Sequence, residues 1–167
     1  YVSADDLPRD ATGVNLTGEA TVTMGRRMAA EMSRMVTGKG TTAGLGVPLW
    51  VMIGDDNCVG QVPYTYLQTG GDDTYDGPQT GVKVWNWGNA TWETYNATVN
   101  SNTGSDGAAN FGPEVSMVSD LLERNQATGV YLLKLGFNDS SICNPAATGG
   151  SWLPSDSDRW DTMTAGW

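Results

Sequence analysis

The fold is decided by the stretch VPLWVMIGDDNCVG, residues 47–60, which joins the signal of a buried strand to a polar turn between glycines. Residues 49–53 are continuously apolar, which is typical of a strand covered on both faces in a parallel sheet. In open α/β sheets, ligands bind beyond the carboxyl ends of the strands. The sequence therefore predicts an α/β domain whose functional site lies at this turn. The residues of the turn are Gly54, Asp55, Asp56 and Asn57, and Gly60 closes it.

The polar turn resembles the nucleophile block of an enzyme family. An apolar strand followed by Gly-Gln-Ser-Asn, with a glycine three residues on, is characteristic of the sialate O-acetylesterase-like carbohydrate esterases of the SGNH hydrolase superfamily. Gly54, Asn57 and Gly60 match that pattern. Asp55 stands where the family has Gln, and Asp56 stands where it has the nucleophilic Ser. The resemblance therefore includes the residues that shape the turn, but it does not include the nucleophile.

A second and a third block extend the resemblance. Phe-Gly-Pro-Glu at 111–114 precedes a predicted helix that ends near residue 125, and an apolar strand follows at 130–135. The family shows the same order. A strand, a helix and a strand at this spacing imply a right-handed parallel crossover. We therefore expect 49–53 and 130–135 to be parallel neighbours, with the helix on one face of their sheet.

The turn after the strand at 130–135 aligns with the family's oxyanion turn. Asn138 and Asp139 stand where the family has two glycines, and Ser140 follows them. Trp152 resembles the tryptophan that comes after this block in the family. The resemblance implies a three-layer, SGNH or flavodoxin-like α/β domain with a central parallel sheet, truncated at its C-terminus. Gly54, Asn57 and the three turn residues would then surround the position of Asp56.

The acidic turn allows three interpretations. Asp55 and Asp56 could form an acid/base pair, although adjacent residues on a turn usually diverge. Asp56, Asp139 and Asn138 follow neighbouring strands, and their oxygens could bind Ca²⁺ or Mg²⁺. The third interpretation is a turn whose polar groups bond to one another, with no cofactor. We expect Asp56 and Asp139 to be close, and at least one of them to accept a hydrogen bond from a backbone amide or from Asn57.

Length and charge limit the function classes. A chain of 167 residues fits a single domain, which we divide into an N-terminal arm and amphipathic helix at 1–46 and the SGNH-like α/β unit at 47–167. No apolar run reaches the roughly 18 residues of a membrane span. The net charge of −10 argues against nucleic acid as a partner.

The N-terminal helix carries a stripe of methionines. Residues 1–16 are polar and are predicted to form an extended arm, and a helix follows from Glu19. Its methionines recur at spacings of four, four and three, which is one face of an amphipathic helix. Such a stripe usually packs in a core, and the alternative is a surface for protein assembly partners together with the arm. The methionines are Met24, Met28, Met32 and Met35.

Aromatic residues and cysteines leave further alternatives open. One set of aromatic residues could form a platform that stacks on a sugar or could instead fill the core, namely Trp85, Trp87, Trp92 and Tyr95. Core filling is the commoner use of such residues, and the resemblance adds Trp152 to the sugar-binding candidates. Cys58 and Cys143 are the only cysteines, and they form either a disulfide or two buried thiols.

The chemistry decides between functions. Ester hydrolysis by serine needs a base that is nearly always histidine, and the chain has none. The family's Asp-x-x-His block would come after Trp167. We therefore expect a catalytically degenerate SGNH-esterase-like module that faces polysaccharide or serves a structural role on an extracellular or virion surface, since domains of this type occur on phage appendages. One alternative is an active carbohydrate O-acetylesterase, with the missing block beyond Trp167 or with Ser140 or Ser141 as nucleophile. The other is a purely structural assembly protein.

Overall fold

The computed structural model describes residues 2–13, 15–37, 49–69, 73–100, 110–125 and 129–140. The helices are α1 (Gly18–Thr37), α2 (Asp56–Val59), α3 (Thr65–Thr69), α4 (Ala97–Asn100) and α5 (Glu114–Asn125), and a 3₁₀ turn covers Asp73–Tyr75. The strands are β1 (Leu49–Gly54), β2 (Val62–Pro63), β3 (Pro78–Asn86), β4 (Thr91–Asn96), β5 (Asn110–Phe111) and β6 (Val130–Gly136).

A mostly parallel, four-stranded sheet forms the centre of the fold, in the order β1-β6-β3-β4. Strands β1 and β6 are parallel, with Leu49 opposite Tyr131 and Gly54 opposite Gly136. Strand β3 is also parallel to β6, and β4 returns antiparallel to β3. Strands β2 and β5 form a separate antiparallel pair. The predicted parallel pairing of 49–53 with 130–135 is confirmed, and the chain is a mixed α/β protein.

Helix α5 packs on the sheet, and α1 packs on α5. Helix α5 begins at Glu114, as predicted, and its apolar side joins Val82, Val84 and Leu132 in the main core. Helix α1 packs on α5 at Gly25, where a Cβ atom would lie 2.0 Å from the carbonyl oxygen of Pro113. Only glycine allows this close approach.

The methionine stripe of α1 divides between two clusters. Met28 and Met32 pack against the main core, and both are partly buried. Met24 packs against a small cluster of Leu7, Leu16 and Ala20. These contacts agree with the core-packing interpretation for three of the four methionines, while the side chain of Met35 is outside the described residues.

The N-terminal arm folds back onto α1, so the prediction of an extended arm is wrong. The Arg27 guanidinium donates two hydrogen bonds of 2.7 Å to the Asp6 carboxylate and one of 3.0 Å to the carbonyl of Ser3. A β-bridge joins Arg9 to Leu16 across a turn. The arm was predicted from its polarity, but polar residues distant in sequence hold it in place.

Strand β1 was predicted to be covered on both faces, but one of its faces is exposed among the described residues. Leu49, Val51 and Ile53 alternate along it, and each is 42–47% exposed. In the described part of the chain β1 is an edge strand, and β6 is the strand covered on both faces, with Leu132 and Leu133 buried. An apolar run indicates a strand of a parallel sheet, but it does not give the position of that strand in the sheet. No helix among the described residues is long and apolar enough to cross a membrane.

Candidate functional site

The carboxyl ends of β1 and β6 lie side by side and bring two polar turns together. Gly54 pairs with Gly136 at the end of the ladder, and the Phe137 amide donates to the Gly54 carbonyl at 3.1 Å. The turn after β1 continues directly into α2, whose first residue is Asp56. This position beyond the strand ends is where ligands bind in open α/β sheets.

The turn after β1 is shaped by backbone hydrogen bonds. The amides of Cys58 and Val59 both donate to the carbonyl of Asp55, at 2.8 and 2.9 Å. Gly60 has a φ of 94°, and a Cβ atom there would lie 2.1 Å from the carbonyl carbon of Phe111. Gly60 is therefore required by both conformation and space.

The side chain of Asp56 binds the turn that follows β6. The Asp139 amide donates a 2.7 Å hydrogen bond to Oδ1 of Asp56. Asp139 has a φ of 55°, in the left-handed region, which Asp tolerates better than most residues. The prediction that these two residues are close, and that one accepts a backbone hydrogen bond, is confirmed.

Two other residues of the turn after β6, Asn138 and Ser140, form hydrogen bonds with different partners. The Asn138 Oδ1 atom accepts a hydrogen bond from Nε2 of Gln61 at 2.9 Å. The Ser140 hydroxyl lies 3.4 Å from the Gly54 carbonyl, and the residue is buried. The Ser140 hydroxyl thus links the turn after β6 to the end of β1. Within the ranges that the structure describes, no three His, Cys, Asp or Glu residues are grouped closely enough to hold a metal ion, and the ion at Asp56 and Asp139 stays a prediction.

A buried ion pair lies beneath the turns. Nζ of Lys134, on β6, is 2.9 Å from Oε1 of Glu114 in the first turn of α5, and both side chains are completely buried. The ammonium also donates to the Val59 carbonyl at 3.0 Å, and the Gly112 amide donates to the same Oε1 atom at 3.1 Å. The pair therefore joins β6, α5 and the end of α2. We did not predict it, although a lysine inside an apolar strand is a visible signal.

Cys58 is a free and buried thiol. Burial raises its pKa to about 12, so the reactive thiolate is essentially absent at neutral pH. Its partner in the disulfide alternative, Cys143, is outside the described residues.

The aromatic residues near β3 and β4 divide between the surface of the sheet and the core. Trp85 lies 5.3 Å from Trp92 between ring centroids, and Trp92 lies 4.8 Å from Tyr131, all three being half-buried on the sheet face opposite Lys134. Trp87 contacts Trp85 edge-on, and its Nε1 donates to the Lys134 carbonyl at 2.9 Å, next to where β3 stops pairing with β6. Tyr95 is completely buried and belongs to the core. Trp152 is outside the described residues.

Comparison of the chain with protein-family models, with curated proteins and with solved structures found no match.

Proposed function

We propose that this chain is an SGNH-esterase-like domain without esterase chemistry, which faces carbohydrate on an extracellular or virion surface. The three-layer arrangement of that family is part of the proposal. The observation that carries it is the 2.7 Å hydrogen bond from the Asp139 amide to Asp56.

Asp56 and its hydrogen bond oppose catalysis in two ways. An oxyanion hole needs amides that are free to bind developing negative charge, and the Asp139 amide already binds a carboxylate. The Asp56 carboxylate also has no proton to yield to a base, and its charge would repel the oxyanion. The 167 residues contain no histidine to serve as that base.

The aromatic cluster of Trp85, Trp92 and Tyr131 supports the carbohydrate part of the proposal. Its rings are half-buried, so each is held by its neighbours and still presents part of its surface. Aromatic side chains that combine an apolar face with a polar edge suit stacking on sugar rings. Trp87 is a weaker candidate, because its indole N–H already bonds to the backbone of β6.

The proposal is tested by two measurements on the purified chain. We expect no hydrolysis of p-nitrophenyl acetate or acetylated xylan above background. We expect affinity electrophoresis in acetylated xylan to show retardation, and the double variant Trp85→Ala/Trp92→Ala to abolish it. Val99→Ala, which removes an exposed apolar side chain elsewhere, is the control.

Two outcomes would contradict the proposal. Hydrolysis that disappears in Asp56→Ala would show that the site is catalytic. Absent retardation, or retardation that survives the double variant, would remove the carbohydrate assignment and favour a structural role.

A further inference from the structure

The N-terminal arm forms one wall of a cavity of about 500 Å³ beside the turn after β1. Arg9 and Leu16 line this cavity from the arm, and Met52 and Asp55 line it from β1 and the turn that follows. The position of the arm therefore determines how much of the opposite wall faces solvent.

The apolar contacts of the arm are separate from the main core. Leu7 and Leu16, which are 8% and 7% exposed, pack with Ala20 of α1 in a small cluster, and Met24 packs against it. Among the described residues, this cluster and the main core have no member in common. A unit with few buried apolar contacts of its own opens at a lower free energy than the whole domain does. The cluster of the arm is thus able to separate while the main core stays intact.

The ion pair between the arm and α1 lies at the surface. Arg27 donates hydrogen bonds of 2.7 Å to both carboxylate oxygens of Asp6. The side chains of Asp6 and Arg27 are 65% and 37% exposed. Exposed ion pairs contribute little stability, because water and salt compete for both partners. The pair therefore positions the arm on α1 without fixing it there.

The arm and α1 each have local hydrogen bonds that do not depend on their mutual contact. Within the arm, Arg9 forms a β-bridge to Leu16, and the Asp10 amide donates to the Asn15 carbonyl at 2.9 Å. At the start of α1, the hydroxyl of Thr17 accepts a hydrogen bond from the Ala20 amide at 3.3 Å. Separation of the arm from α1 leaves both sets of bonds in place, so the arm is able to move as one unit.

We propose that the N-terminal arm is a strap that lifts from α1 and returns while the sheet, α1 and α5 stay folded. In the closed state the arm covers Met24 and forms a wall of the cavity. In the open state the opposite wall, with Met52 and Asp55, faces solvent. The strap goes beyond the proposed function and does not depend on it, because it involves neither the aromatic cluster nor the hydrogen bond between Asp56 and Asp139.

Oxidation of methionines by hydrogen peroxide measures the opening. Met52 is 8% exposed and lines the cavity, whereas Met117 on α5 is completely buried in the main core and is not part of the lining. Initial rates of sulfoxide formation at each methionine of the full chain are read by peptide mass spectrometry. We expect low urea concentrations to accelerate oxidation of Met117 more steeply than that of Met52, because global unfolding exposes more surface than lifting of the arm.

Two variants weaken the closed state. Leu7→Ala removes an apolar anchor of the arm that is not part of the cavity lining. It should accelerate oxidation of Met52 about tenfold, or to the rate of the urea-unfolded chain if that is reached first. Asp6→Asn removes the charge that pairs with Arg27, and it should accelerate oxidation of Met52 about two- to fivefold.

Two matched variants serve as controls. Glu31→Gln removes an ion pair of the same 2.7 Å length, formed with Arg34 on α1, and it should leave oxidation of Met52 unchanged. Val118→Ala weakens the main core in the open and closed states alike. It should therefore accelerate oxidation of Met117 about tenfold and leave that of Met52 unchanged.

Three results would overturn the proposal. Parallel acceleration of Met52 and Met117 in Val118→Ala, or equal urea dependence of the two methionines, would show that the cavity opens only when the whole chain unfolds. Oxidation of Met52 that is unchanged in Leu7→Ala, or equal effects of Asp6→Asn and Glu31→Gln, would show that the arm does not control access to the cavity.

Discussion

Removing one partner of the buried ion pair should destabilise the protein strongly. Lys134→Met leaves the Glu114 carboxylate completely buried without its ammonium, and Glu114→Gln leaves the ammonium without its carboxylate. Breaking a buried pair from one side costs about 3–5 kcal/mol. For a domain of this size, a loss of this kind lowers the melting temperature by roughly 6–20 °C.

The double variant Lys134→Met/Glu114→Gln should be much less unstable than the sum of the two single variants. It removes both charges, and the remaining cost is that the Val59 carbonyl loses its donor, which is about 1–3 kcal/mol. The expected coupling between the two positions is therefore about 3 kcal/mol or more. Urea unfolding followed by tryptophan fluorescence measures all four free energies.

A matched pair on the same helix serves as the control. Arg124 and Asp120 are 3.5 Å apart and partly exposed, with side-chain exposures of 48% and 15%. Their coupling should stay below about 1 kcal/mol. If the effects of Lys134→Met and Glu114→Gln add within about 0.5 kcal/mol, the buried pair is not the coupled unit that its geometry indicates.

Three further predictions concern the turns and the arm. Asp56→Ala should lower the free energy of unfolding by about 1 kcal/mol, since the Asp139 amide loses its acceptor, whereas Asp56→Asn should cost less; equal urea midpoints for the two would contradict this. Cys58, with its pKa raised to about 12, should resist alkylation by iodoacetamide at pH 8 until urea unfolds the chain, as peptide mass spectrometry can show. The hydrogen bonds from Arg27 hold the pKa of Asp6 at about 2 against an ordinary 3.8, so the stability that this contact contributes is present above pH 3.8 and is lost as pH falls through about 2. The protection of the arm's amides against hydrogen exchange, relative to the intrinsic rate at each pH, should therefore fall between pH 4 and pH 2 in the native chain, and Asp6→Asn should remove most of that change.

The sequence predicts those parts of the fold that rest on local patterns. The apolar runs at 49–53 and 130–135 and the helix between them fix a parallel crossover, because its handedness and spacing follow general rules. The meeting of Asp56 with Asp139 then follows from the geometry of parallel strands. The spatial arrangement of the site is thus largely contained in two short segments.

Other features depend on contacts that no local pattern contains. The exposed face of β1 depends on which strands pair with β6, and an apolar run looks the same at an edge and in the centre. The arm is held by Asp6 and Arg27, which are 21 residues apart. By residue type alone, Lys134 and Glu114 would be expected at the surface. Their ion pair forms only when β6 and α5 are packed together.

The central position of β6 sets an order for folding during synthesis. Strands β1 and β3 do not touch each other in the sheet, since β6 lies between them and pairs with both. When the ribosome has released the chain only as far as α5, both neighbours of β6, namely β1 and β3, have emerged, but β6 itself has not. Until residues 130–136 emerge, the edges of β1 and β3 are unpaired and the apolar residues of β1 are available to other chains, which is the situation that favours misassembly. Folding of this sheet is thus completed by its last described strand, and synthesis rate and chaperone access over that interval should affect the yield of native protein more than the strength of any early contact.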